Sequence, residues 1–317
     1  MSLVDGVTAA IVGVSDRQPH LDLYCGRLGF EVAAEAVIDG ETAAALWGAP
    51  AAVPVTVLAA AGAGTGRIAL VGVDAAGPPE HPHTADLGLA GIDLYTRDVQ
   101  TTHRELVAAG YPWLAPPATY QVPLGERGVT VTEGFCLAPD GTDLVFVEPA
   151  SPRGTTAWAV DPDRDYTELT SVVCHVPDVE REVAFWGPAG LGLEAWYDVT
   201  FTSAELARMA GLPPASRVRL VFLAGATTAR IEVLAVPDVT SGVDRRAAQR
   251  PAHSLGHSGW VVHTRDLDTA LARATAQGGE LQAAGPVPTD DPLLGKGRAV
   301  SLRTPGGIAV TLSEPSG

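Results

Sequence analysis

The chain repeats itself, and no other feature constrains its fold as much, because self-similar sequence must build self-similar units. SDRQPHLDLYCGRLGFE from Ser15 returns as PDVEREVAFWGPAGLGLE from Pro177. Asp16 matches Asp178, Tyr24 matches Trp186, and Gly29 matches Gly192 after a one-residue insertion. TGRIALVGV (Thr65–Val73) returns as TARIEVLAV (Thr228–Val236), 163 residues apart at Arg67 and Arg230. A short helical patch precedes each, ETAAALWGAP and SAELARMAGLP. A second pair interleaves with the first. GIDLYTRDVQTTHRELVAAGY (Gly91–Tyr111) matches GWVVHTRDLDTALARATAQGG (Gly259–Gly279), 168 residues apart at Asp98 and Asp266. GFCLAPDGTDLVFVEP (Gly134–Pro149) matches AVSLRTPGGIAVTLSEP (Ala299–Pro315), 166 apart at Pro139 and Pro305. Offsets this close indicate a duplicated half, and each half is itself double.

Every unit opens with a β-prone run ending in Asp, which then starts a helix as an N-cap. The helix closes at Gly, and alternating strands with Gly or Pro-Asp-Gly turns follow. The expected class is therefore α+β, with four βαβββ modules forming two paired-module domains. Residues 1–150 hold modules 1 and 2, residues 166–317 hold modules 3 and 4, and 151–165, with SPRG and DPDRD, reads as a linker.

Composition narrows the function class. Apolar residues make up 46% of the 317 and charged residues 18%, enough for a substantial core. A net charge of −16 without a Lys/Arg cluster argues against nucleic acid and anionic membrane partners. No apolar run is long enough for a membrane helix, and Met1 to Asp16 lacks the basic start of a secretory signal. Cys25, Cys136 and Cys174 are scattered, with no CxxC, so a reduced cytoplasmic protein is expected. The expected partner is a small molecule, and the expected assembly a monomer or homodimer.

LYCGRLGFE and LAPDGTDLVFVEP, repeated in order from about Val7 to Glu314, resemble the vicinal-oxygen-chelate superfamily of glyoxalase I, bleomycin-resistance proteins, fosfomycin-resistance enzymes and extradiol dioxygenases. The resemblance implies paired modules whose sheets curl around one cavity. Four modules then imply two cavities, one per half if adjacent modules pair. It also implies where a metal would sit: on each first strand seven residues before the capping Asp, and on each last strand at a Glu. In this sequence those positions are Ala9, Gly91, Ser171 and Gly259, then Ala69, Val145, Glu232 and Thr311. Only Glu232 is a family ligand in its family place, so a standard four-ligand centre is not expected.

Strand alternation says what else faces inward. Positions 171, 173 and 175 share a face, as do 259, 261 and 263. His175, His263 and Glu232, with Arg230, are thereby expected to converge on one cavity of modules 3 and 4, the two histidines related by an approximate two-fold axis. Ser171 and Thr311 are expected ligand-binding neighbours. On the first strands of the N-terminal half only Asp93 and Tyr95 are inward and polar. Three readings of the histidine–glutamate trio stay open: a metal-free acid–base set, a displaced two-His-one-carboxylate metal site, or polar groups that recognise a ligand. His20 and His103 read as solvated helix positions, and His81 with His83 as a flexible surface pair. Trp113, Tyr120 and Trp196 read as core or cavity wall. Two functions follow. One is an enzyme of isomerase, lyase or ring-modifying type, including dioxygenase-like chemistry, with no cofactor or with a divalent metal in the C-terminal cavity. The other is a metal-free protein that sequesters a cationic antibiotic.

Overall fold

The computed structural model describes residues 2–74, 80–150, 154–282 and 284–316. Module 1 is β1 (Ala9–Val14), α1 (Arg17–Tyr24), β2 (Glu31–Ile38), α2 (Gly40–Trp47), β3 (Val53–Ala59) and β4 (Arg67–Gly72). Module 2 is β5 (Gly88–Thr96), α3 (Val99–Ala108), β6 (Ala118–Leu124), β7 (Arg127–Ala138) and β8 (Thr142–Glu148). After α4 (Thr156–Val160), module 3 is β9 (Tyr166–His175), α5 (Val179–Trp186), β10 (Glu194–Thr202), α6 (Ala204–Met209), β11 (Arg217–Ala224) and β12 (Arg230–Ala235). Module 4 is β13 (Gly256–His263), α7 (Leu267–Ala276), β14 (Glu280–Leu281), β15 (Val287–Asp291), β16 (Gly295–Arg303) and β17 (Ala309–Pro315).

The four capping aspartates start the four module helices. Asp16, Asp98, Asp178 and Asp266 each accept a backbone N–H from the first turn, at Gln18, Thr101, Arg181 and Thr269. Each satisfies a donor that the helix itself leaves unpaired. In module 2 the Pro-Asp-Gly turn puts Asp140 at φ 55°, a left-handed conformation that Asp tolerates.

The modules pair across the halves. One sheet runs β10-β11-β12-β9-β5-β8-β7-β6 and joins module 3 to module 2. The other runs β14-β16-β17-β13-β1-β4-β3-β2, with β15 on β16, and joins module 4 to module 1. The seams are antiparallel, β5 against β9 and β1 against β13. The expectation of one cavity per half is thus corrected: each cavity is built from both halves. Backbone N–H and C=O groups make these seams, and any inward-facing first strand offers the same groups.

A central core lies between the helix-bearing faces of the two sheets. It contains Leu23, Tyr24, Leu106, Phe185, Trp186, Trp260 and Leu267. The rings of Trp186 and Trp260, both fully buried, are 5.8 Å apart and tie module 3 to module 4 across the sheets. Burying side chains this large stabilises by roughly 2–3 kcal/mol each. Each concave face carries a separate apolar cluster. The segment expected as a linker is integral to the fold. Residues 151–153 lie outside the described residues, but α4 buries Ala157 and Trp158, and Glu168 accepts the backbone N–H groups of Thr156 and Ala157 at its start.

Candidate functional site

The concave face of the module 2–module 3 sheet encloses a cavity of about 180 Å³. Its floor is a row of paired residues. Phe135 of β7 lies beside Val145 of β8, which lies beside Asp93 of β5. Asp93 pairs with Ser171 of β9, which pairs with Arg230 of β12. Two residues along β12, alternation brings Glu232 to the same face. Asp93, Tyr95, Arg230 and Glu232, all expected inward, line one cavity. They come from modules that sequence reasoning assigns to separate cavities.

The polar groups form a chain. Arg230 Nε donates to Ser171 Oγ at 2.8 Å, and Arg230 Nη2 donates to Tyr95 Oη at 2.7 Å. Ser171 and Glu232 both act on the Asp93 carboxyl, and Asp93 acts on Glu232 in turn. Two neighbouring carboxylates repel, which favours keeping a proton on one of them. Asp93 Oδ1 is buried with no hydrogen-bond partner among the described residues. Arg230 lies over the Phe222 ring at 4.6 Å, a cation–π contact that fixes the guanidinium plane.

Burial sets the protonation of the acids. It pushes the Asp93 carboxyl up to about 7, helped by the Glu133 charge and opposed by Arg230 and Ser171. Glu232 is held well above the usual carboxylate range, first by burial and then by Asp93 and Glu133, with Arg230 again opposing. Glu133 of β7 is also raised to about 7 by burial, although Tyr120 Oη donates to it at 2.5 Å. Removing carboxylates from water costs more than one guanidinium returns, so all three acids are raised and Glu232 favours its protonated form most. Sequence reasoning missed Glu133 and this role of Tyr120. The signal was present in β7, where Val129, Val131, Glu133 and Phe135 alternate inward and one is a carboxylate.

Apolar side chains make the walls. Trp196 and Phe222 stack at 5.5 Å, with Tyr197 and Leu220 beside them. Tyr120 and Trp196 are cavity wall, as one expectation had it, whereas Trp113 stacks on Phe146 at 5.7 Å in the central core. The segment 80–87 borders the cavity through Pro82, His83 and Thr84. It is pinned rather than free: His81 Nδ1 meets Asp143 Oδ1 at 2.6 Å, and His83 Nε2 donates to the Gly211 carbonyl at 3.1 Å.

The expected histidine pair does not form. His175 ends β9 and His263 ends β13, which belong to different sheets. The cause is the cross-pairing of modules, since the inward register itself was read correctly for Val173 and Glu232. His175 Nε2 accepts the Val236 N–H at 3.3 Å, so Nδ1 carries the proton and donates to the Asp86 carbonyl at 3.1 Å. Burial lowers its pKa despite that carbonyl, and it ties the end of β9 to the 80–87 segment and to the residue after β12. His263 is lowered by burial too, and its Nε2 has no partner among the described residues. Thr311 lies on the other sheet, where Trp47 Nε1 donates to its hydroxyl at 3.0 Å. Ser171 meets the cavity through Arg230 and Asp93. His20 is fully buried, not solvated, with Nε2 3.2 Å from Asp140, whose other contacts are Ser15 N and Oγ.

The donor set does not fit a four-ligand metal centre. The family positions of this cavity are Gly91, Val145, Ser171 and Glu232, and the one carboxyl is engaged with Asp93 beside a guanidinium. Among the described residues no group of three or more His, Cys, Asp and Glu has the geometry to hold an ion. No helix among them is long and apolar enough to cross a membrane.

Fold and site together define a protein of four βαβββ modules, closed in pairs around cavities, as in the vicinal-oxygen-chelate proteins. The chain resembles that superfamily in fold over its whole length and in sequence over residues 6–146, which match the Glyoxalase/Bleomycin resistance protein/Dioxygenase superfamily. Glyoxalase I from Zea mays superposes with a TM-score of 0.65 at 14% identity, over 98% of this chain and 92% of that one. A candidate dioxygenase from Bacillus subtilis subsp. subtilis str. 168 gives 0.62 at 14% identity, over 100% of this chain and 87% of that one. At such identity the likeness is one of fold. No curated protein matches the chain in sequence.

Proposed function

We propose that the chain binds a small organic molecule in the module 2–module 3 cavity and moves a proton to or from it through the Glu232–Asp93 carboxyl pair. The observation that carries this reading is the pair itself: two neighbouring carboxyls that line one largely apolar cavity, each raised well above the usual carboxylate range. A group that gains and loses a proton near neutrality is matched to general acid–base work. Arg230, fixed by Ser171, Tyr95 and Phe222, stands beside the pair as a preset positive charge. It would stabilise an oxyanion that forms as a carbon–hydrogen bond next to a carbonyl gives up its proton. Isomerisation and elimination are the reaction types that begin this way.

Glu232→Gln and Asp93→Asn test it. Compounds that bind are first found by ligand-observed NMR, then incubated with the protein in deuterated water. Deuterium entering a carbon position of a bound compound, with loss of about 100-fold or more in exchange rate in either variant, is the expected result. Bound compounds that never exchange or turn over would overturn the proton-transfer reading.

Sequestration is the second reading. Its support is the Trp196, Tyr197 and Phe222 walls, whose ring faces suit an organic cation, beside three carboxyls that would give up protons to one. It predicts saturable binding of amine-bearing compounds that weakens with salt and proceeds without turnover.

A further inference from the structure

The cavity between modules 1 and 4 is largely filled by the chain itself. Leu46 and Trp47 of α2 and Leu293 with Leu294 of the β15–β16 turn pack onto Ala9, Ile11, Ala69, Val71 and Val261. What remains is a pocket of about 70 Å³ bounded by Trp47, Arg250, Ser301, Arg303 and Thr311. We infer that this pocket binds a small oxyanion, the carboxylate or phosphoryl group of a metabolite or the free ion, against Arg250 and the Ser301–Thr311 hydroxyls.

The hydroxyl hydrogens can be counted. Trp47 Nε1 donates to Thr311 Oγ1 at 3.0 Å, and the Ser301 and Thr311 hydroxyls are 2.8 Å apart. One hydroxyl hydrogen is used between the two. The other has no acceptor among the described residues, although Ser301 and Thr311 are buried to 5% and 1% exposure. A buried donor without an acceptor costs about 1–3 kcal/mol, and a ligand made only of acceptors removes that cost.

Charge points the same way. Arg303 spends its donors on backbone carbonyls of Arg246, Gly307 and Gln249 and on the Gln282 side chain, none of which carries a charge. Among the described residues Arg250 forms no ion pair, whereas Arg246 is paired with Asp244. Burial and the charges of Arg250 and Arg246 lower the Arg303 pKa, which marks the spot as locally positive in a chain of net charge −16. Charge-assisted hydrogen bonds from guanidinium to an oxyanion are the strong kind. At Thr311, where relatives keep a carboxylate for a cation, this sheet has a hydroxyl in a pocket lined by two arginines, so its preference is inverted.

Thermal unfolding of the full chain is measured against inorganic phosphate, acetate and chloride at constant ionic strength, because a ligand of the folded state raises Tm with concentration. Saturable stabilisation by phosphate, acetate or both, beyond that of chloride, is expected. Phosphate alone would assign a phosphoryl group, and acetate a carboxylate. Arg250→Gln should melt like the parent without added anion, yet need about tenfold more anion, the loss of one charge-assisted bond. Glu232→Gln should leave the anion response unchanged, since its cavity is on the other sheet. Equal effects of all three salts, or an unaltered response in Arg250→Gln, would overturn the inference.

Discussion

Glu133 shows how the cavity acts on single residues. Its folded pKa of about 7 lies above the ordinary value of 4.5, so between those values the folded chain holds a proton that the unfolded chain has released. Stability from this group is fully present below about pH 4.5 and is lost as pH rises toward 7. Glu133→Gln keeps an acceptor for Tyr120 and removes the charge. The variant should match the parent at pH 5 and gain up to ~2 kcal/mol relative to it at pH 8, less where cavity water screens the charge. Urea unfolding at both values checks this, and a variant less stable at pH 8 would contradict it. Asp93, Tyr95, Arg230 and Glu232 were legible in the sequence because alternation fixes the face of a strand residue. Glu133 was not, because attention to first and last strands passed over β7. His20 misled for a related reason: α1 packs its far side against the Pro-Asp-Gly turn of module 2, a neighbour that no local pattern announces.

At the scale of elements, the capping aspartates were readable from local pattern alone, since an Asp after a strand and ahead of a helical run has a local cause. Asp266 holds its helix with both carboxylate oxygens, Oδ1 accepting Thr269 N at 2.9 Å and Oδ2 accepting Thr269 Oγ1 at 2.6 Å. Asp266→Ala should cost about 1 kcal/mol in chemical denaturation, the usual value for a lost N-cap. No change would show that the hydroxyl and solvent replace the cap. The choice of partner strand was not readable. β5 and β13 follow the same pattern, with the same Thr-Arg-Asp tripeptide, yet β9 takes β5 and β1 takes β13. Hydrophobic period fixes which face turns inward and leaves open whose backbone lies alongside. That gap separated His175 from His263 and brought Asp93 to Glu232.

The whole molecule depends on both halves. Residues 1–150 alone would carry β1 and β5 with their seam edges bare, and bare edges seek other strands. That fragment should not be a monomer in light scattering, whereas mixing it with residues 151–317 should yield a one-to-one complex with the parental circular dichroism. A well-folded monomeric fragment would show that each half closes on its own. The seams also carry a historical meaning. Modules 1 and 3 are alike, modules 2 and 4 are alike, and each sheet takes one of either kind from opposite halves. Such an arrangement is what two identical half-length ancestors make when they exchange partners and their genes then join. In a dimer of identical halves a mutation alters both sites at once. In a single chain each site changes alone, and here one is filled by Leu46, Trp47, Leu293 and Leu294 while the other carries its acids, an asymmetry that only a joined chain allows.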